Sequence, residues 1–128
     1  LADAKKGVAM FQQKSINVPV LGIIENMAYF TPEELPNNKY YIFGKDGAKN
    51  LAIDIKTKFL GEIPLVQSIR ESGDVGHPVA LQEGSVLEKS FTDITKEIVS
   101  ELLKRNSNLP PTEVVRITTM SGCSSVKK

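Results

Sequence analysis

Val18-Pro19-Val20-Leu21-Gly22-Ile23-Ile24 is continuously apolar and rich in β-branched residues, and Glu25-Asn26-Met27 follows it at once. Seven residues without a polar interruption fit a strand covered on both faces in a parallel sheet, rather than an alternating, half-exposed one. In open parallel α/β sheets ligands bind outside the carboxyl ends of the strands, which puts Glu25, Asn26 and Met27 at the functional rim. An asparagine there can donate and accept through one amide, as the edge of an adenine requires. Asparagine at a strand end is equally a turn former, and residue chemistry alone leaves both readings open.

Upstream of this run, Leu1, Ala4, Val8, Phe11 and Gln12 follow helical spacing. That helix has to stop before Asn17-Val18-Pro19, because the residue preceding a proline disfavours the α region. Downstream, Ala28 to Lys39 carries Pro32, Pro36 and Asn37-Asn38, the composition of a loop. Tyr40-Tyr41-Ile42-Phe43 is expected to form a short strand, Gly44 to Gly47 a turn, and Ala48 to Lys56 a helix. Lys58 to Pro64 is expected to be a second parallel strand, stopped by its proline, which completes a βαβ unit. A helical turn at Gln67 to Glu71 and a loop at Gly73 to Pro78 lead to a long amphipathic helix. Ser85 is its expected N-cap, Glu88 completes a capping box, and Leu87, Phe91, Ile94, Ile98 and Leu102 form the stripe that packs on the sheet. From Asn106 onward, Pro110-Pro111 and the Ser/Thr/Lys-rich end suggest an extended, mobile tail, with Val114 to Ile117 a candidate edge strand. The expected division is an α/β domain over residues 1–106 and a tail over residues 107–128.

Composition excludes several classes of function. Sixteen basic and fifteen acidic residues leave a net charge of +1, too little to steer nucleic acid or an anionic membrane surface. The apolar runs are too short to cross a bilayer, and Leu1 to Gly7 lacks the apolar core of a signal peptide. The cytoplasm is therefore the expected compartment, with neither nucleic acid nor membrane as partner. A single cysteine, Cys123, excludes an internal disulfide and a metal site built from several thiolates of one chain. The sequence begins with leucine inside a helical pattern and is expected to be a fragment of a longer protein.

Few residues carry catalytic chemistry. Gly44-Lys45-Asp46-Gly47-Ala48-Lys49 looks like a phosphate loop only superficially, since the Gly-x-x-x-x-Gly-Lys-Ser/Thr spacing is missing. Pro64, with Leu65 and Val66, can wall a base or merely end a strand. His77 has no second ligand at metal-binding spacing, and no histidine or lysine is placed to activate Cys123. Glu33 and Glu34 are read as solvated loop charges, and no triad or carboxylate pair emerges.

Taken in order, four segments resemble the carboxyl-terminal half of the Mrp family: Ala2 to Gly7, Val18 to Phe30, Tyr41 to Gly44 and Phe59 to Leu65. The resemblance runs over about residues 1–105. Members are P-loop ATPases related to MinD-like proteins and implicated in carrying iron–sulfur clusters. It implies the carboxyl-terminal portion of a three-layer α/β/α P-loop NTPase fold with a mostly parallel sheet. The phosphate loop, switch regions and magnesium-binding aspartate would lie upstream of Leu1, in an intact parent that is an ATPase, so this chain alone is not catalytic. Asn26 is then implied to contact the adenine of ATP, with Ile63, Pro64 and Leu65 bordering the base. The parent is implied to be a homodimer serving iron–sulfur client apoproteins. Many relatives hold a bridging cluster through a Cys-x-x-Cys pair where this chain has Thr31-Pro32-Glu33-Glu34-Leu35-Pro36-Asn37-Asn38-Lys39. Carboxylates do not replace thiolates at such clusters, which sets the cluster apart from the rest of the resemblance. A non-catalytic interaction module, or a MinD-like positioning ATPase, are the competing readings.

Overall fold

A computed structural model describes residues 1–32, 34, 35 and 37–112. The elements in chain order are α1 (Ala2–Phe11), β1 (Gly22–Phe30), α2 (Gly47–Asp54), β2 (Lys58–Leu65), α3 (Gln67–Asp74), a single 3-10 turn (Val79–Leu81) and α4 (Val86–Asn108). β1 and β2 pair in parallel through the α2 crossover, with Gly22 opposite Lys58, Asn26 opposite Ile63 and Phe30 opposite Leu65. The expected βαβ unit is present.

β1 differs from its expected bounds, starting four residues later than Val18 and running on to Phe30. Val18 to Leu21 form a lead-in instead. Pro19 has no N–H for a ladder, the Val18 N–H is spent on the Phe11 carbonyl, and Thr57 Oγ1 donates to the Val20 carbonyl from the side. The run is also not covered on both faces. Gly22 to Glu25 are half-buried, and Ala28 is the only fully buried residue of β1. Beside it an apolar hollow of about 340 Å³ stays open between Val8 and Phe11 of α1 and Val20 and Ile23.

Tyr40 to Phe43 is not a strand. Phe30 and Tyr40 exchange hydrogen bonds of 2.9 and 2.8 Å as one isolated antiparallel bridge. The chain then turns back at once through Gly44, whose N–H meets the Tyr41 carbonyl and whose φ is +96°.

The helices α2 and α3 also have shifted ends. α2 closes before Lys56, which adopts a φ of 54° while its N–H bonds the Ile53 carbonyl and the Thr57 N–H bonds the Ala52 carbonyl. That pair of bonds is a Schellman ending, which satisfies the last carbonyls two residues earlier than expected. α3 is a helix of two turns rather than one, supported on its exposed face by Gln67 to Glu71 and Arg70 to Asp74 pairs four residues apart.

Ser85 caps α4, its Oγ accepting from the Glu88 N–H at 2.9 Å. The capping box is only half formed. Glu88 turns along the helix to accept from Thr92 Oγ1, and the Ser85 N–H goes to the Gln82 carbonyl. Along the apolar stripe Ile94 is buried, Leu87, Phe91 and Ile98 are half-buried, and Leu102 is exposed. Ile94 comes so close to β2 that a Cβ on Gly61 would sit 2.7 Å from its Cγ1, and Gly61 also has a φ of +147°. α4 continues to Asn108, two residues past the expected end of the domain, with Ser107 Oγ and Asn108 Nδ2 donating to the Leu103 and Lys104 carbonyls. The candidate strand at Val114 to Ile117 and Cys123 lie outside the described residues.

The core gathers Val8, Ala28, Leu51, Ala52, Leu60, Val79 and Ile94, with Leu51 only 2% exposed. It sits where α2 and α4 meet the parallel pair.

Candidate functional site at the carboxyl ends of the strands

A parallel pair puts the carboxyl ends of both strands on one edge, so β1 and β2 bring together two segments 37 residues apart in sequence. Asn26 lies directly opposite Ile63, and Phe30 opposite Leu65. Between those pairs the register slips, and Met27 adopts a φ of 55°, unusual for an unbranched residue with a Cβ. The Met27 N–H turns away from the ladder to donate to Asn26 Oδ1 at 3.0 Å. The acceptor half of the Asn26 amide is thereby used within the strand. Its Nδ2 has no hydrogen-bond partner among the described residues, and the side chain is exposed.

The four residues singled out from the sequence are adjacent but differ in accessibility. Ile63 and Leu65 are half-buried, while Pro64 is buried in β2. Beyond the strand ends lies a groove of about 450 Å³ floored by Phe30, Thr31, Pro32, Leu65, Gln67 and Glu71. Leu65 lines this groove; Asn26, Ile63 and Pro64 do not. The Arg70 side chain borders a neighbouring recess with Phe30 and Leu65.

Glu25 has a role that the sequence reading did not assign. Its Oε1 accepts from the Gly47 N–H at 3.0 Å, at the first residue of α2. The residue before it, Asp46, is left-handed at φ 58° and makes no side-chain cap of its own. A carboxylate from β1 therefore satisfies the positive end of α2 across the fold. The Gly47 amide, which a phosphate loop would turn toward a ligand, is spent inside the protein. The only signal for this was an acidic residue directly after the apolar run, in the same βαβ unit as a glycine-led helix.

The other candidates are dispersed. His77 is exposed, and its N–H bonds the Ser72 carbonyl. Glu34 is exposed, and Glu33 lies outside the described residues. Among the described residues no three of His, Cys, Asp and Glu converge as metal ligands, and no helix is long and apolar enough to cross a membrane. The Thr31 to Lys39 segment offers no thiolate, so it does not fit an iron–sulfur cluster. Among the described residues two groups have shifted pKa values, both on the solvent face of α4 and away from the rim. The Asp93 carboxyl is held below its ordinary value, first by its hydrogen bond from Lys89 and then by the charge of that lysine. Lys104 is raised by its hydrogen bond to Glu101.

Comparison with known proteins bears on this arrangement. An iron–sulfur cluster transfer protein, NUBPL, of Dictyostelium discoideum is 44% identical over 103 residues, covering 80% of this chain and 31% of that protein. An Arabidopsis thaliana protein named as an iron–sulfur protein required for NADH dehydrogenase, mitochondrial, is 40% identical over 115 residues, covering 89% of this chain and 36% of that one. A nucleotide-binding protein of Archaeoglobus fulgidus, solved in complex with ADP, superposes with a TM-score of 0.52 at 32% identity, over 67% of this chain and 33% of the other. The chain thus spans about a third of the length of these relatives, and its α/β fold with a parallel strand pair is a portion of a P-loop NTPase fold. Residues 1–99 match the ParA family described as NUBPL iron-transfer P-loop NTPases, and the chain belongs to that family.

Proposed function

We propose that this chain supplies the base-facing side of an ATP pocket in a P-loop ATPase that carries or transfers iron–sulfur clusters. Support comes chiefly from the register that places Asn26 opposite Ile63, at the sheet edge where α/β proteins bind ligands. Asn26 presents its Nδ2 donors to a ring nitrogen of adenine, and Ile63, Pro64 and Leu65 border the base. The ADP complex of the Archaeoglobus relative favours an adenine nucleotide. The phosphates and magnesium belong to a part of the protein outside these residues, and hydrolysis is assigned to that part rather than to this chain. Residues 1–106 form its share of the ATPase domain and residues 107–128 the tail, the last turn of α4 leading from one to the other.

One similar relative is named for iron–sulfur cluster transfer and another as an iron–sulfur protein, and on that basis the cluster is proposed as cargo and iron–sulfur apoproteins as clients, with the working protein a homodimer. No cluster-holding step is given to the loop of residues 31–39, which has no thiol. The cytoplasm is the proposed compartment; the Arabidopsis relative is named as mitochondrial, and cell fractionation decides between the two.

The test is Asn26→Ala in a protein that carries this segment together with its phosphate loop. Loss of a buried polar contact to the base is expected to weaken ATP binding by about 1 to 3 kcal/mol, read by calorimetric titration. Unchanged affinity would remove Asn26 from the pocket.

A further inference from the structure

Among the described residues Asn17, Met27, Asp46 and Lys56 adopt a positive φ without being glycine. Three of them have a local cause. Asparagine and aspartate tolerate the left-handed region, and Lys56 closes α2. Met27 is neither residue type, ends no helix and sits inside a strand. Its cause lies across the sheet. Between the Asn26–Ile63 and Phe30–Leu65 pairs, β1 carries Met27, Ala28 and Tyr29 where β2 carries Pro64 alone. Pro64 has no N–H to give to the ladder, so β1 leaves the ladder where least is lost. The result is a bulge that buries Ala28 to 5% exposure and turns Met27 out to 44%.

The bulge also sets the Asn26 side chain. In extended backbone the Met27 N–H would point along the hydrogen-bonding direction of the sheet. In the left-handed region it donates to Asn26 Oδ1 instead. An exposed asparagine without such a bond samples several rotamers, and ordering it costs part of any contact it makes with a ligand. Here the backbone orders the amide before a ligand arrives. Its oxygen is held, and Nδ2 is left as the outward donor, with no partner among the described residues. A left-handed residue with a side chain is strained and persists only where its surroundings enforce it, and such strain gathers at binding sites.

We infer that Met27 is a positioning residue for the base: its left-handed backbone, set by the bulge opposite Pro64, locks the Asn26 amide with its Nδ2 donors facing the ligand. The inference rests on the reading of Asn26 as the base contact, and adds that Met27 acts through Asn26 without touching the nucleotide. The side chain at position 27 then matters only through the backbone it permits. Glycine adopts the left-handed region at no steric cost, while valine, branched at Cβ, fits it poorly. Neither change disturbs the core, because Met27 is exposed.

Two measurements test it. In the unaltered chain of 128 residues, NMR couplings across the Asn26 Cα–Cβ bond are expected to report a single rotamer, and hydrogen exchange a protected Met27 N–H. Averaged couplings or an unprotected N–H would overturn the inference without any variant. The second measurement titrates ATP, and inorganic triphosphate as a probe without a base, into a protein that carries this segment with its phosphate loop. Met27→Val is expected to weaken ATP binding about tenfold, as the loss of one oriented hydrogen bond does, and to leave triphosphate binding as it was. Met27→Gly is expected to bind ATP about tenfold more tightly than Met27→Val, and Met27→Val to add no loss on top of Asn26→Ala. Equal ATP affinity in the valine and glycine variants, with Asn26→Ala still weakening it, would overturn the positioning role and leave the base contact standing. Weaker triphosphate binding in Met27→Val would overturn it too, by tying Met27 to the stability of the fold. ATP affinity unchanged by Asn26→Ala would remove the base reading, and the positioning role with it.

Discussion

At the scale of the residue, the middle of β1, where its regular pairing with β2 ends, is organised by two consecutive polar side chains with different tasks. Glu25 reaches across to the Gly47 N–H, and Asn26 folds onto the Met27 N–H. A hydrogen bond from a backbone amide to a charged, half-buried carboxylate is worth more than a neutral one, so Glu25→Ala is expected to lower stability by about 1 to 2 kcal/mol, with Glu25→Gln recovering part of the loss. Urea denaturation of the three proteins measures this, and an Ala variant as stable as the starting chain would show that α2 does not need the cap. The position of Asn26 was legible in the sequence only as the end of an apolar run, which marks the last regular pair of the ladder and not the end of β1, since the strand continues to Phe30. Its bond to Met27 was not, because a left-handed methionine has no signature in residue type. Glu25 was missed for a related reason: its partner lies 22 residues on, and only the fold brings the two together.

At the scale of the element, helices were more legible than strand ends. The 3.6-residue period located α1 and α4 and the Ser85 cap, since both signals are local. The ends of β1 and α2 were displaced by events the pattern does not carry: a proline without an N–H, and a left-handed Lys56 that closes a Schellman ending. Tyr40 to Phe43 had the residue types of a strand but, among the described residues, no neighbour with which to pair beyond Phe30. α4 supplies a test of pH dependence. The carboxyl of Asp93 lies below its ordinary value in the folded chain because of Lys89, so its contribution to stability is present above its unfolded pKa and is lost as pH falls through the folded one. Carbon-detected NMR titration is expected to place the Asp93 midpoint below that of an unstructured aspartate. The midpoint should rise in about 1 M salt, where screening acts within about 3 Å. A midpoint insensitive to salt would contradict the pairing.

At the scale of the whole molecule, the described residues form a parallel pair with helices α2 and α4 packed on it, and an apolar hollow beside α1 that remains open. The α/β class and the family were legible because motif order survives in a segment a third the length of its relatives. The shape of the rim was not, since which of Ile63, Pro64 and Leu65 faces the groove depends on a register slip between Asn26 and Phe30. The central claim is that this segment forms the base side of a nucleotide pocket and nothing of its phosphate side. Photolabelling tests it most directly, using an azidoadenine analogue of ATP on a protein that carries this segment with its phosphate loop, followed by peptide mapping. Label in the β1 peptide ending at Phe30 or the β2 peptide ending at Leu65, suppressed by excess ATP, is the predicted result. ATP-protected label confined to peptides outside residues 1–128 would contradict it.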